Sequence, residues 1–107
     1  MMSIADGLSK VVPQQLIKTV ASNGTPERVS PVPRKFRTAT FVGNKAARTA
    51  NTGTVYLGWS SVNDEQFIPV TTGASVTINA PSGEAYDLFD LWIDCATNAD
   101  GVCVFFA

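Results

Sequence analysis

The chain reads as an all-β protein: a small antiparallel β-sandwich or jelly-roll-like module with an extended N-terminal arm. Three observations lead there. From Phe36 to the end, short apolar segments rich in Val, Ile, Thr and aromatic residues recur about every 8–12 residues, with Gly, Asn and Pro between them. Before Phe36, Pro26, Pro31 and Pro33 exclude a helix, because proline removes backbone donors and pushes its predecessor toward extended geometry. And 107 residues suit one domain, of a size that buries roughly two-thirds of its unfolded surface.

Taken in order, residues 1–35 form the predicted arm. Within it Leu16 to Val20 is short and apolar, a strand or a brief helix, and residues 21–34 are expected to run extended and polyproline-like. The β domain is assigned to residues 36–107. Phe36, Thr38, Thr40 and Val42 alternate with Arg37, Ala39 and Phe41, a strand signal of β-branched and aromatic types. Gly43-Asn44 and Asn51-Thr52-Gly53 supply turns, and Val55 to Leu57 is a strand ended by Gly58. Phe67 to Val70 is a short strand whose Pro69 fits an edge. Val76 and Ile78 mark one face of Ser75–Asn79, and Pro81-Ser82-Gly83 breaks the chain again. Leu88 to Cys95 alternates, with Phe89, Leu91, Ile93 and Cys95 expected inward. Val102 to Phe106 is expected to return beside it across the turn Asn98 to Gly101.

Charge is distributed unevenly along the chain. All eight Lys and Arg lie in the first 48 residues with only Asp6 and Glu27 among them, whereas residues 49–107 carry seven acids and no cation. With a net charge of −1, the whole molecule is nearly neutral, which argues against generic nucleic-acid binding. The split itself points to a partner or to a second copy; alternatively, folding mingles the charges on one surface. The candidate contact residues are Arg28, Arg34, Lys35, Arg37, Lys45 and Arg48 on the basic side, with Asp90 and Asp94 on the acidic strand. Trp59 and Trp92 are candidate anchors, tryptophan being enriched at binding hot spots. For both, packing against a neighbouring loop is the competing reading.

The chemistry of catalysis is thin. There is no histidine, the commonest general base. P-loop, dinucleotide and nucleophile-elbow motifs are missing too. Asp90 and Asp94 read as a solvated strand face rather than a carboxylate pair, Asp64-Glu65 as a surface loop, and Asn-Ala-Asp-Gly as a turn rather than a calcium loop. Neither an enzymatic role nor a cofactor is expected. No apolar run reaches the ~20 residues of a membrane span, and Met1 to Val20 lacks the pattern of a signal peptide, so synthesis in the cytoplasm is expected. Cys95 and Cys103 flank the turn; they are either a cross-strand disulfide or two buried thiols.

Four stretches occur in a telling order: NTGTVYLG, FIPVTTGASVTI, YDLFDLWIDC and GVCVFFA. Together they make residues 36–107 resemble a class of small β-sandwich virion proteins of tailed bacteriophages. Val70 and Thr72 stand where that class commonly has Leu and Pro. The resemblance implies a capsid decoration (cement) protein on the capsid surface of the virion. Its partners would be the major capsid protein and itself, as a homotrimer or other cyclic oligomer. A tail, collar or fibre component is the alternative, and a carbohydrate-binding module using Trp59 or Trp92 is a further one.

Overall fold

The computed structural model describes residues 12–60, 62 and 67–107. The start of the predicted arm (1–11) and Asp64-Glu65 lie outside the described residues. In chain order the strands are β1 (Gln14–Thr19), β2 (Glu27–Arg28), β3 (Lys35–Phe36), β4 (Thr38–Val42), β5 (Asn44–Ala46), β6 (Thr49–Ala50), β7 (Val55–Gly58), β8 (Ile68–Val70), β9 (Ser75–Asn79), β10 (Tyr86–Asp87), β11 (Trp92–Cys95) and β12 (Gly101–Phe106). A 3₁₀ turn covers Leu88–Asp90.

Two four-stranded antiparallel sheets, in the orders β1-β12-β4-β9 and β2-β11-β7-β8, form the sandwich. Among these eight strands the first pairs with the last (β1·β12) and the second with the seventh (β2·β11). The third pairs with the sixth (β4·β9) and the fourth with the fifth (β7·β8). That nesting is a long hairpin rolled onto itself, the topology of a jelly roll. The expected all-β sandwich is present.

Alternation places the core. Ala39 and Phe41 of β4, with Val102, Val104 and Phe106 of β12, face Val55 and Leu57 of β7 and Ile93 and Cys95 of β11. Val76 and Ile78 of β9 pack against this core from one face, as their spacing predicts. Pro69 sits in β8, an edge strand, where its missing N–H costs no ladder bond. Gly43 and Gly101 are required by close approach: a Cβ on Gly43 would strike the Thr71 carbonyl oxygen, and one on Gly101 the Lys18 carbonyl oxygen.

Three expectations are corrected. First, the sandwich does not begin at residue 36. β1 and β2, both in the segment read as an arm, are edge strands of the two sheets. Val20 and Val29 are 0% and 1% exposed and belong to the core. Leu16 of β1 packs against the core with Val20, within the segment already read as a strand or brief helix, whereas Val29 stands between Arg28 and Ser30, so no apolar period announces β2.

Second, the last strand does not pair with the one before it. β11 lies between β2 and β7, and β12 between β1 and β4. The turn at residues 96–100 therefore carries the chain from one sheet to the other, with Ala99 at φ 71°. Cys95 and Cys103 stand in different sheets as buried free thiols. Their Sγ atoms lie 3.7 Å from the Val20 and Asn44 carbonyl oxygens respectively. Burial pushes both thiols above their ordinary range, and Asp94 and Asp100 push Cys95 further.

Third, Leu88 to Cys95 is not one strand. The Asp87 carboxylate accepts from Phe89 N at 2.9 Å and caps the 3₁₀ turn. Leu88 is therefore buried instead of Phe89, and Asp90 and Asp94 no longer share a strand face.

Candidate functional site

The sandwich has two ends, set by the direction of β4. Beyond its Val42 end lie the β5–β6 hairpin, the Asn51–Gly53 turn and the 96–100 crossover. Here the acids are turned inward. Asp100 is fully buried and accepts from Thr52 N at 3.0 Å and Gly53 N at 2.7 Å. Asn51 donates from Nδ2 to the Gly101 carbonyl at 2.7 Å and accepts from Gly101 N at 3.0 Å. Asp94, read from the sequence as a solvated contact residue, is 4% exposed. Its Oδ1 accepts from Gly24 N at 3.0 Å and Cys95 N at 2.8 Å, so it ties the 21–25 loop to β11 rather than facing a partner.

With those carboxylates engaged in backbone bonds, what this end presents outward is cationic. Lys45 and Arg48 sit on the β5–β6 hairpin, half-buried and exposed respectively. The hairpin leans over β12 and β1, whose outer side carries the exposed Ile17 and Phe105 and no charged side chain. Lys18, nearby, is neutralised by Glu27 at 2.9 Å, the one ion pair among the described residues. Glu27 also accepts from Ala21 N at 2.9 Å. That backbone bond first, and Lys18 second, hold the Glu27 carboxyl below its usual range.

Arg28 is not a free cation. Its guanidinium lies 3.9 Å from the centroid of Phe89 and 4.7 Å from that of Trp92, and it donates to the Phe89 carbonyl. The contact fixes β2 against the 3₁₀ turn and half-buries Trp92. Two candidate contact residues thus satisfy each other.

Beyond the Thr38 end of β4 the charges do mingle. Arg34, Lys35 and Arg37 are all exposed there, alongside Glu84, Asp87 and Asp90. Lys35 stands directly opposite Asp87 in the β3·β10 pair. Arg34 N donates to Asp87 Oδ1 at 2.8 Å. Arg37 is anchored through its backbone, its N–H donating to the Ala107 carbonyl at 2.8 Å and its carbonyl accepting from Ala80 N at 2.7 Å.

A cleft of about 560 Å³ opens at this end. It brings together Lys35, Trp59 and Asp90, three of the residues singled out in the sequence, with Tyr86, Asp87 and an apolar floor of Ile78 and Leu91. Tyr86 and Asp87 were not singled out, although both lie within YDLFDLWIDC. Asp87 betrays itself only as a capping residue two before Phe89, and Tyr86 only by its place beside that cap.

Among the described residues, no group of three or more His, Cys, Asp or Glu side chains converges as a metal site. No family model matches this chain, and no curated protein or solved structure is significantly similar to it.

Proposed function

We propose that this chain is a virion structural protein, a capsid decoration (cement) protein that seats its β5–β6 hairpin end on the assembled head of a tailed phage. The observation that carries the reading is the polarity of that end. Its described acids are buried in backbone bonds or paired, so Lys45 and Arg48 are the charged side chains that this end presents outward. Such a surface complements an acidic lattice and gains long-range attraction to it. The resemblance of residues 36–107 to small virion β-sandwich proteins, and a jelly roll closed by its own first and last strands, support the same reading. Self-association into a cyclic oligomer would draw on the outer side of β1 and β12, where Ile17 and Phe105 are 52% and 48% exposed.

The test is co-sedimentation of the purified chain with expanded heads of the phage whose genome carries it. Saturable binding that weakens as salt is raised, and that is lost in the double variant Lys45→Glu, Arg48→Glu, is expected. Binding by the double variant equal to that of the parent, or no binding by the parent, would overturn the proposal.

A further inference from the structure

We infer that the cleft between Trp59 and Tyr86 binds a neutral oligosaccharide. At about 560 Å³ it falls within the usual range of small-molecule sites. The two rings that border it are 68% and 45% exposed; the Tyr86 ring and the Trp59 backbone are held. Tyr86 packs on the buried Phe36 with centroids 6.0 Å apart, and the Trp59 carbonyl accepts from Val62 N at 2.9 Å. Open aromatic faces offer large contact area, and a ring already packed, as Tyr86 is, adds it at little entropic cost.

The charges around the rings select the class of ligand. Asp87 is already engaged, its Oδ1 accepting from Arg34 N and Phe89 N. Among the described residues that leaves the Lys35 ammonium and the Asp90 carboxylate as the free charged groups at the rim, beside the Tyr86 hydroxyl. An anion would meet the Asp90 carboxylate. A quaternary ammonium would meet Lys35. An apolar molecule would strip water from all three without returning a hydrogen bond. A sugar ring fits these constraints: its C–H face lies on an aromatic face, while its hydroxyls accept from the Lys35 ammonium and donate to the Asp90 carboxylate. The inference is independent of head docking, because the cleft and the hairpin lie beyond opposite ends of β4.

The chain has two tryptophans, so Trp92→Phe, which keeps a ring over Arg28, leaves Trp59 as the reporter. This variant is titrated with maltohexaose, cellohexaose and the hexamer of N-acetylglucosamine, with choline chloride as a cationic control. A saturable change in Trp59 emission with at least one oligosaccharide is expected. It should weaken about tenfold or more on adding Tyr86→Ala or Asp90→Asn, both at exposed positions, and should be unaltered by Lys45→Glu. Three results would overturn the inference: no change with any of the three sugars, a change with choline alone, or a change that follows protein concentration without sugar. The last would mean that a second copy fills the cleft.

Discussion

Asp100 and Asn51 show how single side chains hold this fold. Both are buried, and together they bond four backbone groups of two loops that approach from different parts of the chain. Removing the Asp100 carboxylate leaves the Thr52 and Gly53 N–H groups without their acceptor. Asp100→Ala is therefore expected to lower stability by about 2–3 kcal/mol, read from denaturant unfolding. Asn51→Ala should destabilise as well, and the double variant should lose less than the two losses combined, because both residues serve one junction. The cysteines give a second residue-scale test. Their raised pKa and burial predict that neither reacts with a thiol reagent in the native protein at neutral pH, and that both react once it is unfolded. Part of this was legible in the residues. The turns at Asn51–Gly53 and Asn98–Gly101 were visible as turn chemistry. Their interlock was not, because a turn signal is local and says nothing about which loop it will touch.

At the scale of elements, β4, β7, β9 and β12 carry enough alternating positions to be read directly from the chain. β1 and β2, both edge strands, are less plain: β1 shows only the short Leu16 to Val20 segment, which fits a strand or a brief helix, and β2 has no pattern at all, Val29 alone following it into the core. The strand read over Leu88 to Cys95 failed for a related reason: apolar alternation continued through Leu91, but the Asp87 cap imposed a 3₁₀ turn and shifted the phase. The Lys18–Glu27 pair staples β1 to β2 across the two sheets. Its pH dependence follows from the depressed Glu27 pKa. The stabilisation is fully present above the ordinary Glu range and is lost as pH falls through the lower folded value. Both side chains are about one-third exposed, so the effect is small. Glu27→Gln is expected to lower thermal stability slightly at neutral pH, with the difference from the parent vanishing in acid.

For the molecule as a whole, the lengthwise charge split does not survive as a dipole between two surfaces. Folding turns Asp94 and Asp100 inward, stacks Arg28 on aromatic rings and mixes Lys35 with Asp87 and Asp90 at the cleft. Among the described residues, the hairpin end presents cations outward, Lys45 and Arg48, with its acids turned inward. The cleft was only partly foreseeable. Lys35, Trp59 and Asp90 stood out one by one, but their meeting depends on β3 pairing with β10 across some fifty residues of chain.

Imaging decorated heads by electron microscopy tests the head-docking proposal most directly. The account predicts one jelly roll at each equivalent lattice position, with the β5–β6 hairpin toward the shell and the Trp59 cleft toward solvent. Density confined to a ring at the tail vertex, or molecules seated cleft-end down on the shell, would contradict it.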